Sequence, residues 1–176
     1  LSGTATLSHS YAKAVEGTKA RILDTRKTTP GLRTFEKAAV AAGGATNHRI
    51  GLFDAFLLKE NHIAMAGGIA AAVAGCREAD HELMVEVEVR NLTELMEALD
   101  TGAERIMLDN MDLGQMRTAV ELTKGRAELE ASGGVTLESV RSIAETGVDF
   151  ISVGAITHSA PTLDLSLLLE PLDHHA

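Results

Sequence analysis

The segment Thr101–Asn110, TGAERIMLDN, aligns without gaps with Thr146–Ala155, TGVDFISVGA, and Lys124–Gly133, KGRAELEASG, fits the same frame. In each segment, a glycine typical of helix ends precedes a short, mostly apolar run of strand length. The seventh residue after that glycine closes the predicted strand. The repeat therefore predicts equivalent units of one sheet, each of which delivers a special residue at the same position. These three residues are Asp109, Ser132 and Gly154.

Similar short runs alternate with helical patterns along the whole chain. This alternation predicts a parallel sheet built from strand–helix units. A weaker strand pattern occurs near Asn47–Gly51. The clearer strands are predicted at Arg21–Thr25, Ala55–Lys59, Leu83–Val89, Arg105–Asp109, Ala127–Ala131 and Phe150–Gly154.

Helix starts are marked by capping residues. Asn91 with Glu94, and Asp112 with Gln115, have the spacing of capping boxes, and Thr136 is predicted to cap a third helix. Three helices have a predicted inward face of apolar residues. These faces are Leu32, Phe35, Ala39 and Ala42 in the first helix, Leu92, Leu95, Met96 and Leu99 in the second, and Leu137, Val140, Ile143 and Ala144 in the third.

Charged, hydroxyl or glycine residues end nearly every predicted strand. In an α/β barrel the carboxyl ends of all strands converge on one mouth, whereas an open sheet arranges them along a line. A set spread over all strands favours closure. Eight full units typically need about 250 residues, and this chain has 176. We therefore predict an α/β fold, namely an incomplete TIM-like barrel of six or seven parallel strands.

The bulk composition excludes several classes of protein. A hydrophobic fraction of 45% with 23% charged residues is typical of a globular domain with one core. The net charge of −9 argues against a general nucleic-acid binder. Cys76 is the single cysteine, which excludes an internal disulfide. No apolar run is long enough to span a bilayer, so we expect neither a nucleic-acid nor a membrane partner.

Glycine-rich loops follow the last two predicted strands. Ser132, Gly133 and Gly134 lie between a strand and a helix start, and Gly154 and Ala155 repeat the arrangement. Glycine lets the backbone approach a ligand closely, and a helix N-terminus favours phosphate. Barrels often bind phosphate at their final two loops. The sequence therefore predicts a phosphate site, and two ordinary tight turns are the alternative.

Carboxylates end two strands that should be buried, where an unpaired charge is costly. These are Glu88, which shares a strand face with Glu86, and Asp109. Close to a phosphate they would suit Mg²⁺, bound directly or through water. They could instead stabilise a positively charged transition state. The structural alternative is an ion pair with Lys27, Lys59 or Arg105.

Basic residues form the third group at the strand ends. The stretch DTRKTTPGLR, residues 24–33, is basic although the chain is acidic. Several cations at one mouth repel one another unless an anion or carboxylates compensate. We expect a bend where the chain directs two of them to the mouth, and Arg33 is predicted to be a surface charge. The predicted basic set is Arg26, Lys27, His48, Arg49 and Lys59.

From the residues alone we expect a barrel mouth that binds a highly anionic, phosphorylated substrate together with a divalent metal. The reaction is not fixed by these residues. Six ordered blocks add a resemblance that covers essentially the whole chain. They are DTRKTTPGLR (24–33), GGATNHRIGLFDAFLLKENHI (43–63), VEVEV (85–89), IMLDN (106–110), EASGG (130–134) and TGVDFISVGAITHS (146–159).

In this order the blocks closely resemble the quinolinate phosphoribosyltransferase family, the decarboxylating nicotinate-nucleotide pyrophosphorylases. The resemblance implies that quinolinate and 5-phosphoribosyl 1-pyrophosphate give nicotinate mononucleotide, pyrophosphate and CO₂ with Mg²⁺, in de novo NAD synthesis. It also implies a homodimer, and we expect a cytoplasmic location. The alternatives are a related phosphoribosyltransferase acting on another acid, or an inactive anion-binding fragment.

The resemblance also implies roles for individual residues. Residues 1–18 would be part of an interdomain helix and residues 19–176 the catalytic barrel, and the family's N-terminal domain, which gives an arginine to the partner's site, is missing. The catalytic set would be Lys27, Lys59, Glu88 and Asp109. The quinolinate set would be Arg26, His48, Arg49 and Lys59. The phosphoribosyl pyrophosphate set would be Lys27, Glu88, Asp109, Ser132, Gly133, Gly134, Gly154 and Ala155, with Glu88 and Asp109 attending the metal.

Overall fold

The computed structural model describes residues 1–170 and has one sheet surrounded by helices. Strands and helices alternate along most of the chain, as the sequence predicts. The strands are β1 (Arg21–Leu23), β2 (Phe56–Leu58), β3 (Val85–Val89), β4 (Arg105–Asp109), β5 (Glu128–Ser132) and β6 (Phe150–Ser152). The helices are α1 (Ser2–Ala14), α2 (Arg33–Ala42), α3 (Glu60–Ala66), α4 (Ile69–Ala79), α5 (Leu92–Asp100), α6 (Leu113–Thr123), α7 (Val140–Ala144) and α8 (Ala155–His158).

The sheet is parallel throughout, with the strand order β1-β6-β5-β4-β3-β2. The first two strands of the chain are therefore its two edges, and the sheet is a TIM-like barrel that is not closed. This confirms the predicted fold class, with six strands. The strand ends that carry the predicted site residues all face the same mouth, because parallel strands share a direction.

The weak strand predicted near Asn47–Gly51 is wrong. In this region the structure has a single bridge, between Leu23 and Thr46. The next main-chain N–H groups donate to side chains instead of a neighbouring strand: that of His48 donates to Asp24, and those of Ile50 and Gly51 donate to Asp54. These bonds use the donors that a strand ladder would need, so the gap between β1 and β2 stays open.

The capping predictions are confirmed for α5 and α6 but not for Thr136, and the repeat holds in register only for β4 and β5. Thr136 accepts the Ser139 N–H in a turn, and α7 begins at Val140 without a side-chain cap. The Asn91 side chain accepts hydrogen bonds from two N–H groups at the start of α5, and Asp112 and Gln115 form a reciprocal capping box on α6. Asp109 lies opposite Ser132 in the sheet. Between β5 and β6 the register shifts, because Ala131 pairs with Ile151, and so Gly154 lies farther along the barrel axis than the repeat predicts.

The predicted apolar face of α2 is wrong except for Ala39. Phe35 is 57% exposed and Leu32 is 43% exposed, whereas Glu36 and Lys37 are buried. The polar pair faces inward because each finds a partner there: Glu36 accepts a hydrogen bond from the Thr29 N–H, and Lys37 pairs with Asp24. Leu137, from the predicted face of α7, is also exposed. The reason is that residues 136–139 form a hydrogen-bonded turn before α7 begins at Val140.

The amino-terminal helix α1 packs on the barrel. The Tyr11 hydroxyl of α1 lies 3.5 Å from the carbonyl oxygen of Val135, and Tyr11 is 4% exposed. The interdomain role predicted for residues 1–18 stays a prediction. The last six residues of the predicted barrel domain, 171–176, lie outside the described residues. None of the helices within residues 1–170 has the length and apolarity needed to cross a membrane.

Helix α2 offers a direct test of its observed orientation. Val40 is 0% exposed, so Val40→Ala should lower the free energy of unfolding of this chain by about 1–3 kcal/mol through lost burial and a cavity. Phe35→Ala, on the exposed face, should change it by less than about 0.5 kcal/mol. Urea unfolding of both variants measures the difference. A larger loss in Phe35→Ala than in Val40→Ala would contradict the observed orientation.

Candidate active site

Two adjoining cavities open at the carboxyl ends of the strands. The larger has a volume of about 760 Å³ and the smaller about 200 Å³. Thr25, Lys27, Lys59, Ser132 and Ser152 line both cavities, so the two are neighbours on one mouth. Every predicted site residue lies on a wall. Lys27, Lys59, Glu88, Asp109, Ser132, Gly133, Gly134, Gly154 and Ala155 line the larger cavity, and Arg26, Lys27, His48, Arg49 and Lys59 line the smaller.

Bare backbone forms one wall of the larger cavity. Gly133 has a φ of +104°, and a Cβ atom there would lie 2.1 Å from the Asn110 side-chain oxygen. A Cβ atom on Gly154 would lie 3.0 Å from Nε2 of His158. Only glycine fits at Gly133, both for its backbone angle and for its space. The wall thus exposes peptide groups to a ligand, as a phosphate site requires.

Carboxylates form another part of the wall of the larger cavity. Glu88 is 9% exposed, and its Oε2 is paired with the Lys59 ammonium. Burial raises the pKa of Glu88, and the contact with Lys59 opposes that rise. The ion pair that the sequence left as an alternative is therefore present, but it lies on the cavity wall. Mg²⁺ usually takes one or two carboxylates together with substrate phosphates, so Glu88 and Asp109 form a donor set that fits this ion.

Two guanidinium groups form the basic wall of the smaller cavity. Among the described residues, the buried Nε atoms of Arg26 and Arg49 have no hydrogen-bond partner. Burial and then the neighbouring Arg26 charge lower the pKa of Arg49. Buried donors without acceptors are costly, and two like charges repel. An anion with several oxygens would relieve both costs.

His48 lies beneath this wall, with its ring between two fully buried carboxylates. Its Nε2 is 3.0 Å from Glu86 Oε2 and 3.3 Å from Glu130 Oε2, although neither contact has the alignment of a hydrogen bond. Burial alone would lower the pKa of His48, but Glu130 and Glu86 outweigh it and raise this pKa to about 9. The Arg49 N–H donates to Nδ1 at 2.7 Å, which favours a ring without a proton on that nitrogen.

The raised pKa of His48 favours an extra proton on its ring, whereas the contact of Nδ1 with the Arg49 N–H does not. The charge balance of the cluster favours such a proton on one of its members. Burial and then the Glu130 charge raise the pKa of Glu86 to about 7, so Glu86 is the other group able to hold it. Arg105 Nη1 lies 3.9 Å from Glu130, but the same guanidinium donates to Glu128 at 2.7 Å, so it offsets the charge of Glu130 only in part. A proton on His48 or Glu86 therefore reduces the remaining negative charge. One ligand atom from each of His48, Glu86 and Glu130 lies within 4.8 Å of the others, a spacing that could also hold a metal ion.

Arg33 and Thr157 hold the basic loop after β1. The prediction that Arg33 is a surface charge is wrong: its guanidinium donates to Thr28 Oγ1 at 3.0 Å, to the Arg26 carbonyl at 3.0 Å and to the Ile50 carbonyl at 3.1 Å. The Thr157 hydroxyl donates to the Lys27 carbonyl at 2.7 Å. The chain bends at Arg26, so that Arg26 and Lys27 both reach the smaller cavity.

Several cavity residues were missed by reasoning from the sequence. Arg90 and Asn110 line the larger cavity and directly follow β3 and β4. His158 lines it as well, and its position four residues after Gly154 places it one helical turn away. The signal for all three was their spacing from a strand end. Asp24 and Lys37 had no such signal, because their pairing depends on how α2 rotates against β1.

Comparison with known proteins identifies the family of this chain. Residues 4–168 match the family described as quinolinate phosphoribosyl transferase, C-terminal domain. The chain belongs to this family. It is 50% identical over 171 residues to a protein of Synechocystis sp. named probable nicotinate-nucleotide pyrophosphorylase [carboxylating], with 95% of this chain and 58% of that protein covered. A Bacillus subtilis protein of the same name is 45% identical over 168 residues, again with 95% and 58% covered.

Solved structures agree with the family. The nicotinate-nucleotide pyrophosphorylase of Francisella tularensis superposes with a TM-score of 0.91 at 51% identity, and the match covers 93% of this chain and 59% of that one. The chain therefore spans somewhat more than half the length of the relatives it matches.

The proton shared by His48 gives a measurable pH dependence. In the unfolded chain the pKa of histidine is about 6.5, and in the folded chain that of His48 is about 9. The folded state therefore binds more protons between these values, so the free energy of unfolding should fall by about 1–3 kcal/mol as the pH rises from 7 to 9.

Urea unfolding across this range measures the fall, and the double variant His48→Asn/Glu86→Gln is the control. It removes both groups that can hold the shared proton and keeps the slopes due to groups outside the cluster, so the difference between the two curves isolates that proton. Parallel curves would contradict the shared proton.

Proposed function

We propose that this chain is the catalytic portion of a quinolinate phosphoribosyltransferase. The observation that carries the proposal is the pair of adjoining cavities: one is lined by two guanidinium groups whose buried Nε atoms lack acceptors among the described residues, and the other by bare glycine backbone and carboxylates. Quinolinate is a dianion of modest size and suits the smaller, basic cavity. Phosphoribosyl pyrophosphate is longer and suits the larger cavity, where a metal donor set faces a phosphate wall.

In this proposal each wall has a separate task. Arg26 and Arg49 hold the carboxylates of quinolinate, and the positive charge of the cluster around His48 lies beneath them, so that the ring nitrogen of quinolinate points toward the junction with the larger cavity. Backbone at Gly133 and Gly154 holds the 5-phosphate of the donor. Because Lys27 and Lys59 line both cavities, their ammonium groups would lie between the two substrates. Binding brings the ring nitrogen and the ribosyl carbon together without a covalent nucleophile.

The charges on the walls also suit the reaction. Departure of pyrophosphate leaves positive charge on the ribosyl centre, which the carboxylates of Glu88 and Asp109 would stabilise. When bound, Mg²⁺ would be held by Glu88 and Asp109, directly or through water, and would neutralise charge on the pyrophosphate. After the new C–N bond forms, the positive ring nitrogen eases loss of the adjacent carboxylate as CO₂.

From the family resemblance we also propose a homodimer and a cytoplasmic location. A related phosphoribosyltransferase acting on another acid is the second candidate. The paired guanidinium groups of Arg26 and Arg49, together with His48, favour a diacid over a monoacid, because one carboxylate would leave buried donors unsatisfied. A panel of pyridine mono- and dicarboxylates competing with quinolinate separates the two candidates.

The reaction itself is the main test. Protein that carries this chain at full length should release CO₂ from carboxyl-labelled quinolinate only when phosphoribosyl pyrophosphate and Mg²⁺ are both present. No release under those conditions would contradict the proposed function. The 176-residue chain, assayed in parallel, distinguishes a catalytic unit from a fragment that binds quinolinate without turnover.

The separation of the two cavities gives a reciprocal test. Arg26→Gln should weaken quinolinate binding by about 10- to 100-fold, because a charged hydrogen bond is worth about 1.5–3 kcal/mol, and should leave phosphoribosyl pyrophosphate binding within about twofold. Gly154→Ala should do the reverse, since its new Cβ would crowd His158 in the larger cavity.

Calorimetry with each substrate alone measures both effects. Arg117→Gln, at an exposed position on α6, is the matched control for loss of a positive charge. Equal weakening of both substrates by Arg26→Gln would contradict the assignment. Charge reversal at Lys59 is a poorer probe, because Lys59 lines both cavities and pairs with Glu88.

A further inference from the structure

The segment of residues 46–49 fills the open seam between β1 and β2 without being a strand. Its only main-chain pairing with β1 is the bridge at Thr46, where Thr46 N–H donates to Ile22 and Asp24 N–H donates to Thr46. One residue pair of ladder is a weak restraint on a segment that must aim two functional side chains. Another set of contacts therefore has to fix residues 47–49.

A buried lysine–aspartate pair supplies those contacts. Lys37 Nζ lies 2.7 Å from Asp24 Oδ1, and their side chains are 3% and 0% exposed. The same Oδ1 accepts the His48 N–H at 2.7 Å, and the same Nζ donates to the His48 carbonyl at 2.9 Å. The pair thus holds His48 by both of its main-chain polar groups. The Asn47 amide, with its nitrogen toward these acceptors, donates to Asp24 Oδ2 at 3.0 Å and to the Lys37 carbonyl at 2.9 Å.

We propose that Asp24 and Lys37 are positioning residues of the smaller cavity, which fix the His48 ring beneath the cavity and direct Arg49 toward the anion bound there. Neither side chain reaches the substrate in this proposal, and both act through the His48 backbone. The proposal rests on the proposed function of that cavity as the quinolinate site. It assigns a role to the buried face of α2, whose inward polar residues the catalytic proposal does not use.

The location of the pair argues for positioning over stability alone. A buried ion pair is a weak source of stability, because desolvation cancels much of its attraction. Burial raises the pKa of Asp24 against the opposing effect of Lys37, which shows that this cost is present. An apolar pair would pack here equally well, but it could not hold an N–H and a carbonyl of the same residue. Asp24 and Lys37 thus form a clamp on the main chain of His48, and this clamp supplies geometry that apolar packing cannot.

The next residue transmits this geometry to the cavity wall. Arg49 Nη1 donates to the Ala55 carbonyl at 3.0 Å, just before β2, so the segment is attached to both edges of the seam. The His48 ring enters the barrel between Glu86 and Glu130. Without the clamp, the His48 ring and the Arg49 guanidinium are no longer held at fixed positions relative to each other. Displacements of about 1 Å at such a site can cost about 100-fold in function.

Lys37→Met and the double variant Asp24→Asn/Lys37→Met test the proposal. The single variant leaves a buried carboxylate unpaired and should lose stability, and the double variant should regain part of it because both charges are gone. In both variants quinolinate should bind about 10- to 100-fold more weakly, since no donor holds the His48 carbonyl. Phosphoribosyl pyrophosphate should bind within about twofold of the parent. Lys19→Met, which breaks the Lys19–Asp149 pair (2.8 Å) at the other end of the barrel, is the matched control.

Two measurements are made on each variant: calorimetry with quinolinate and with phosphoribosyl pyrophosphate, and hydrogen exchange of the amides in residues 46–50. Faster exchange confined to that segment, with a selective loss of quinolinate binding that persists in the double variant, supports the clamp. Recovery of quinolinate affinity together with stability in the double variant overturns it. If the parent protein does not bind quinolinate, the proposed function fails, and the exchange data still decide whether the pair fixes the segment: loosening spread over the whole sheet overturns the clamp.

Discussion

The contact of the His48 ring with Glu86 and Glu130 connects the interior of the barrel to its mouth. Two buried carboxylates inside a parallel barrel would be prohibitive without compensation. Arg105 compensates from below and the proton shared with His48 compensates from above. The same ring therefore serves the core, which needs its charge, and the mouth, where it helps form the basic wall. The charge balance of the core and the shape of the site therefore depend on the same side chain, His48.

The open gap between β1 and β2 follows from this constraint. Because the segment with His48 is held by side chains, its backbone is not committed to a ladder and can lie where the ring requires. The cost is an open edge on β1 and β2, which loops and Arg49 cover in part. On the opposite side of the mouth, regular strands β4 and β5 present Asp109 and Ser132 side by side. A wall of regular strands thus faces a wall that is held in place by side-chain hydrogen bonds.

The sequence predicts the regular part of this arrangement well and the irregular part poorly. Repeating glycines and strand-length runs locate the strand ends, and with them the site residues, because local patterns determine these elements. For α2 the sequence predicts the wrong buried face. Hydrophobicity alone orients Phe35 inward, whereas Glu36 and Lys37 are buried because they have tertiary hydrogen-bond partners. Arg33 was misjudged for the same reason: its three acceptors come together only when the loop after β1 meets the loop near Ile50.

The register shift between β5 and β6 has a consequence for ligand shape. Three equivalent positions of the repeat, which would otherwise form a flat ring, become a staircase in which Gly154 is one step higher than Asp109 and Ser132. Two residues of extended chain advance by about 7 Å, so a ligand that contacts all three positions has to reach two different depths. Duplicated sequence units can therefore recognise different parts of one long molecule without any change in their local structure, because the shear of the barrel alone sets them at different depths.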